Sequence, residues 1–234
     1  MKKPLIVIAG PTASGKTSVS VALAKKIGGE IISGDSMQVY KYMDIGTAKV
    51  TEEEKQGIKH YMIDEFYPDE DCSVALFQEK VKYYMNKIYN KGKIPIIVGG
   101  TGFYIQSITH DIKFENTVKD EEYREQLMHE ANVYGPEYLH NKLKQVDPQS
   151  AENIHKNNIK RVVRALEYYS QTGEPISKHN QKESERETPY NLAFFALNMD
   201  RSTLYSRINQ RVDQMVDSGL IEEIRFLINQ GYSK

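Results

Sequence analysis

The segment Gly10-Pro11-Thr12-Ala13-Ser14-Gly15-Lys16-Thr17 fits the spacing G-x-x-x-x-G-K-[ST]. Glycines in such a loop let the backbone wrap so that consecutive N–H groups point inward at phosphate oxygens. The helix that follows adds partial positive charge at its N-terminus. Lys16 adds a full charge, and the Thr17 hydroxyl can reach a Mg²⁺ ion held by the same phosphates. The motif specifies a diphosphate or polyphosphate ligand without saying which.

Asp35 is the next residue able to do chemistry. It lies in Gly34-Asp35-Ser36-Met37-Gln38, a loop leaving a short apolar segment. In open α/β sheets ligands bind at the carboxyl ends of strands, so a carboxylate there can hold Mg²⁺ or act as a general base. Asp is also a common turn residue, and that reading stays open. Gln38 both donates and accepts, which suits it to a base edge. Gly99-Gly100-Thr101-Gly102 ends another apolar run, and three glycines there suggest close backbone approach to a ligand.

Two basic features complete the candidates. Lys156, Lys160, Arg161 and Arg164 occur between Glu152 and Glu167 with no acid among them, a pattern for phosphate contact or for a solvated face. Arg207 and Arg211 stand four apart on one helical face and can clamp a diphosphate with their guanidinium forks, or lie on the surface. No strand ends in an apolar run followed by Asp, which disfavours a motor or switch NTPase. The histidines show no metal-ligand spacing, and the isolated Cys72 offers no site.

The elements that must position these residues follow from periodicity. Leu5–Ala9 is a strand buried on both faces, Lys16 to Ile27 an amphipathic helix stopped by Gly28-Gly29, and Glu30–Ser33 a second strand. His60–Asp64 reads as a third strand. Ser73 caps a helix carrying Phe77, Val81, Tyr84, Met85 and Ile88, and Ile94–Val98 is a further apolar strand. This alternation predicts an α/β fold with a parallel sheet. From Asp120 to Ser170 the pattern is helical, broken at Gly135-Pro136 and Asp147-Pro148, and Gln171 to Pro189 reads as loop. Leu192–Leu197 returns as a buried strand, followed by a helix capped by Ser202 and a last one reaching Gly231. The expected organisation is an α/β core over residues 1–112, an all-helical insertion over 113–189, and a return to the core over 190–234.

Composition bounds the function. With 234 residues, 39% hydrophobic, and 31 basic against 32 acidic residues, the chain is globular rather than disordered. One cysteine excludes a disulfide framework and suits a reducing compartment, and the apolar runs are too short to span a bilayer. Lys2 and Lys3 before Leu5–Ala9 imitate a signal peptide, but polar Thr12–Thr17 cuts the run short, so no export signal is expected and the cytoplasm is. The near-zero net charge argues against a nucleic-acid partner, but the distribution argues back. Eight acids crowd Glu52–Asp71, whereas Lys156–Arg164 is purely basic.

Taken together in order, the phosphate-loop octapeptide, Asp35–Tyr40, Thr47-Ala48-Lys49, Gly99–Tyr104, Arg161–Glu167, Thr172–Ser177 and the Arg207…Arg211-Val212-Asp213…Met215 helix resemble the tRNA dimethylallyltransferase (tRNA isopentenyltransferase) family over essentially the whole chain. The resemblance implies a P-loop NTPase-like core and transfer of a dimethylallyl group from its diphosphate to the N6 amine of adenosine 37, beside a tRNA anticodon. It implies that Asp35 accepts the amine proton. Lys16, Thr17 with Mg²⁺, and Arg207 or Arg211 would stabilise the leaving diphosphate. It assigns tRNA contact to Asp35, Ser36, Met37, Gln38, Thr101, Tyr123, Ile159, Lys160, Arg161, Val162 and Val163, with the insertion gripping the anticodon stem-loop. It also implies a longer C-terminal part than the stretch ending at Lys234. Phe103, Lys156 and Asn158 depart from the usual pattern. A small-molecule or nucleotide kinase is the alternative that the phosphate loop and Asp35 serve equally, and a non-catalytic RNA-binding module is a third. Nothing demands a partner subunit, so a monomer is expected.

Overall fold

The computed structural model describes residues 2–114 and 119–232. Residues 115–118, inside the expected insertion, lie outside the described residues, as do Met1, Ser233 and Lys234. In chain order the elements begin with β1 (Lys3–Ala9), α1 (Lys16–Ile27), β2 (Glu30–Ser33), α2 (Glu52–Lys55), β3 (His60–Tyr61), α3 (Val74–Asn90), β4 (Pro95–Gly99) and α4 (Gly102–Thr109). Then come α5 (Glu121–Tyr134), α6 (Pro136–Val146), α7 (Pro148–Asn153), α8 (Ile159–Thr172), α9 (Ile176–Ser184), β5 (Tyr190–Ala196), α10 (Arg201–Asp217) and α11 (Leu220–Asn229). The chain divides into two compact units, one of Met1–Asp111 with Thr188–Lys234 and one of Ile112–Glu187.

In the first unit five parallel strands pair in the order β3-β2-β4-β1-β5. The continuous apolar runs of β1, β2 and β4 occupy the middle, where both faces are covered. Leu5, Val7, Ile32 and Ile97 pack with Phe77, Val81, Met85 and Ile88 of α3, and Ile8, Ile31 and Ile96 pack with Val21 and Ala24 of α1. Because β4 lies between β1 and β2, the connection from β1 to β2 passes over it. The carboxyl ends of the three strands therefore open side by side, the arrangement that makes a ligand crevice.

Four expectations need correction. The third strand is only His60–Tyr61, because Met62 and Asp64 adopt left-handed conformations (φ 60° and 59°) that end the ladder. The cap of α10 is Asp200 rather than Ser202: its Oδ2 accepts from the N–H groups of Ser202 (3.0 Å) and Thr203 (3.2 Å). The stretch 171–189 is not all loop but holds α9. That helix has one apolar residue at its start, hence no periodic signal, and its first turn is pinned where Ser177 donates from N–H (3.0 Å) and Oγ (2.6 Å) to the buried Asp147 carboxylate. Finally, β5 is not buried. It pairs only with β1 at the sheet edge, α10 and α11 bury no residue, and Phe194 and Phe195 remain about half exposed (51% and 52%).

The second unit is wholly helical among the described residues. Leu127, Ala131, Leu139, Leu143, Val162, Val163 and Leu166 form its core. Beside that core lies the fully buried carboxylate of Glu167. It accepts from Arg124 Nε (2.7 Å) and Nη2 (2.8 Å), Arg164 Nη1 (2.7 Å) and the Asp120 N–H (3.0 Å). Burial alone would raise its pKa, but the Arg124 and Arg164 hydrogen bonds outweigh burial and hold it at about 2.

A carboxylate held below its unfolded value contributes stability that is fully present above about pH 4.5 and is lost as pH falls toward 2. Glu167→Gln is therefore expected to cost about 3 kcal/mol at pH 7, because it leaves Arg124 facing a neutral amide. In thermal unfolding followed by circular dichroism, the gap between variant and parent should shrink as pH falls from 5 to 3. A gap independent of pH would contradict the assignment.

Candidate phosphate and nucleic-acid site

The loop Gly10–Thr17 runs from the end of β1 into α1. Gly15 caps α1 in the left-handed region (φ 87°), a conformation open to glycine at little cost, and makes no side-chain capping bond. The first turn of α1 contains no acid, so its N–H groups and the helix dipole face the loop without a competing carboxylate. Lys16 Nζ folds back over the loop and donates to the carbonyls of Gly10 (2.9 Å) and Pro11 (2.7 Å). Burial lowers its pKa, the Asp35 carboxylate opposes that, and Arg211 adds to the lowering. Ser14 Oγ is buried with no hydrogen-bond partner, an unsatisfied donor inside the cradle.

The Asp35 loop is fixed to the same edge. Asp35 is half-buried, and its Oδ1 accepts the N–H of Met37 (2.9 Å). Thr101 uses its Oγ1 to accept the N–H of Ser36 (3.3 Å), tying the end of β4 to this loop. Gln38 is engaged within the protein. Its Oε1 accepts from Ser33 Oγ (2.9 Å), and its Nε2 donates to the carbonyls of Thr47 and Ala48 (3.2 Å each). A cavity of about 40 Å³ between Thr17, Ser33 and Gln38 has Ile31, Ile63 and Val98 in its walls.

The glycines at the end of β4 allow close backbone packing. A Cβ at Gly99 would lie 2.4 Å from the Gly34 carbonyl oxygen and 2.5 Å from its carbon, and one at Gly100 would lie 3.2 Å from the Gly10 oxygen. The first two glycines are there so that the ends of β1, β2 and β4 can pack backbone against backbone. Gly102 has open space around it, and Phe103 beside it is half exposed.

From the far end of the chain, α10 returns to the site. Arg211 is half-buried and close enough to act on Lys16, whereas Arg207 is exposed. Spacing alone had left the pair equivalent. Two further residues had no sequence signal beyond belonging to a motif or a helix. Lys49, its side chain only 6% exposed, bridges Asp44 (2.7 Å) and Asp64 (2.6 Å). Glu223 of α11 accepts three backbone N–H groups from Asp44, Ile45 and Gly46.

In the helical unit the basic stretch divides. Lys156 pairs with Glu137 (2.7 Å) and Arg164 with Glu167. Lys160 and Arg161 stand exposed in the first turn of α8 with no ion pair among the described residues. Val162 and Val163 are buried (0% and 4% exposed) as core of this unit, so their side chains are not available to a ligand. Ile159 and Tyr123 pack partly against the same core.

Among the described residues no group of three or more His, Cys, Asp or Glu could hold a metal ion, and no helix is long and apolar enough to cross a membrane. Burial pushes the Cys72 thiol up to about 11, which leaves it unreactive at neutral pH.

Comparison with known proteins places this geometry. The IPP transferase family matches residues 38–234. A tRNA dimethylallyltransferase of Lachnoclostridium phytofermentans is 54% identical over 232 residues, 99% of this chain and 74% of the relative. One from Bacillus cereus is 54% identical over 230 residues, 98% of this chain and 72% of the relative. The solved tRNA isopentenylpyrophosphate transferase of Bacillus halodurans is 46% identical with a TM-score of 0.69, covering 100% of this chain and 72% of that one. A solved eukaryotic dimethylallyltransferase acting on tRNA is 32% identical with a TM-score of 0.78, covering 97% of this chain and 56% of that one. A family match over residues 38–234, with relatives 54% identical across nearly the whole chain, makes the chain a member of the IPP transferase family.

Proposed function

We propose that this chain transfers a dimethylallyl group from dimethylallyl diphosphate to a tRNA, at the N6 amine of adenosine 37 beside the anticodon. The observation that carries the reading is the pairing of an uncapped phosphate cradle with a carboxylate at its mouth: Asp35 acts electrostatically on Lys16, the cation of that cradle.

The chemistry balances on these groups. The amine nitrogen forms a bond to the first carbon of the dimethylallyl group, the carbon–oxygen bond to diphosphate breaks, and the amine proton passes to the Asp35 carboxylate. As negative charge grows on the departing diphosphate, the loop N–H groups receive it and Lys16 exchanges its contacts with the Gly10 and Pro11 carbonyls for phosphate oxygens. Arg211 is the arginine placed to assist. The residues would fit a Mg²⁺ ion held mainly by diphosphate and water, since Thr17 is exposed at the start of α1 and no carboxylate cluster among the described residues competes. Such an ion supplies neutralisation of diphosphate charge.

For tRNA, the favoured surface on the helical unit is the start of α8. Basic side chains at a helix N-terminus oppose the dipole, and Lys160 and Arg161 have no acid in that turn to offset them. A phosphate bound there satisfies the side chains and the helix end together. A target base in the anticodon loop is single-stranded, so its extrusion toward the core site costs little stacking. A monomer acting in the cytoplasm is the simplest setting. A kinase reading keeps the cradle but leaves the exposed Lys160 and Arg161 without a role.

Asp35→Asn is expected to lower kcat for transfer of labelled dimethylallyl groups to unmodified tRNA by about 100-fold or more, with KM for the diphosphate within about threefold. Undiminished transfer would remove the carboxylate from the mechanism. Replacing Lys160 and Arg161 together by Ala should flatten the dependence of log affinity for tRNA on log salt by about 2. An unchanged slope would exclude them from phosphate contact.

A further inference from the structure

The segment between Tyr40 and Val50 has no helix or strand, yet it is held from two sides. From α11, Glu223 Oε2 accepts the N–H groups of Asp44 and Ile45 (2.7 Å each), and Oε1 accepts that of Gly46 (2.9 Å). Consecutive N–H groups converging on one anion form a concave donor site. Here the anion comes from the protein itself, and charge-assisted bonds of this kind are stronger than neutral ones. The approach at Gly46 is close, since a Cβ there would lie 3.2 Å from Leu220 Cδ1 and 3.4 Å from Glu223 Oε1. On the opposite side Lys49 Nζ donates to Tyr40 O, Asp44 Oδ1 and Asp64 Oδ1.

What this segment presents inward is a pair of carbonyls. Those of Thr47 and Ala48 both receive the Gln38 amide, Gln38 Oε1 receives Ser33 Oγ, and Ser33 Oγ in turn lies 3.4 Å from the N–H of Asp35. An unbroken series of contacts therefore runs from the α11 carboxylate to the backbone of the proposed proton acceptor. The apolar anchorage of α11 on this segment is slight. The helix buries no residue, and its apolar contacts with the segment include Leu220 beside Gly46 and Phe226 against Tyr42 (centroids 5.7 Å apart). The polar tie is the capture of three N–H groups by one carboxylate.

We infer that Glu223 is a positioning residue for the transfer reaction: by fixing Asp44–Lys49 it sets Gln38, and through Gln38 and Ser33 the Asp35 turn at the mouth of the phosphate loop. The inference rests on the reading that Asp35 accepts the amine proton. Glu223→Gln keeps the shape but offers one acceptor oxygen instead of two and aims N–H at N–H.

The test compares Glu223→Gln, Gln38→Ala and the double variant in the tRNA transfer assay. Glu222→Gln serves as control, because Glu222 lies on the exposed side of the same turn, 3.8 Å from Arg225. Glu223→Gln should reduce kcat about tenfold or more without a fall in melting temperature large enough to unfold the chain. The double variant should lose no more than the worse single variant, and Glu222→Gln should match the parent. Strictly additive losses, or parental kcat in Glu223→Gln, would overturn the inference. Amide hydrogen exchange gives a readout that does not depend on activity. Glu223→Gln should speed exchange at residues 44–49 and also at 33–38, whereas acceleration confined to 44–46 would overturn the inference. Absence of transfer by the unaltered chain would count against the functional reading and leave the exchange result to decide this one.

Discussion

The site depends on how closely three strand ends can approach. Gly99 meets Gly34 at a separation that leaves no room for a side chain, and Gly100 lies against Gly10. This contact brings the phosphate loop, the Asp35 turn and Thr101 to one edge of the sheet, each at the carboxyl end of a different strand. Side-chain volume at Gly99 would push β2 from β4 and separate the Asp35 turn from the Gly10–Thr17 loop. The strand order supplies the crevice and the glycines set its width.

Within that edge the recurring device is a set of backbone N–H groups turned toward an anion. The α1 end has no acid and no side-chain cap, while the N–H groups of Asp44 to Gly46 hold the Glu223 carboxylate. The cations follow the same division. Lys49 is buried and committed to two aspartates, whereas Lys16 rests on carbonyls of its own loop and can exchange them for ligand oxygens. In the helical unit Arg124 and Arg164 pair with Glu167, while Lys160 and Arg161 stand exposed with no ion pair among the described residues. A net charge of −1 thus coexists with locally basic surface.

Much of this was legible in the residues. The apolar runs of β1, β2 and β4 announced a parallel sheet because strands buried on both faces need no polar alternation. The phosphate loop could be placed because its motif sits between a strand and a helix. Other features were hidden for physical reasons. The helix α9 is too polar to show a period and depends on Asp147 for its first turn. The edge position of β5 cannot be told from a central one by an apolar run. Whether Val162 or Arg161 faces outward is decided by which stripe of α8 meets α5 and α6, and one residue of rotation changes it. Glu223 resembled any surface acid, since three backbone donors leave no mark on a sequence.

In the proposed reaction the cradle of Gly10–Thr17 holds a leaving group rather than a phosphoryl donor. Dimethylallyl diphosphate labelled in its terminal phosphate, incubated with tRNA and Mg²⁺ in the absence of ATP, tests it directly. One intact labelled diphosphate is expected for each dimethylallyl group appearing on tRNA. Release of orthophosphate as the primary product, or an absolute requirement for ATP, would contradict it.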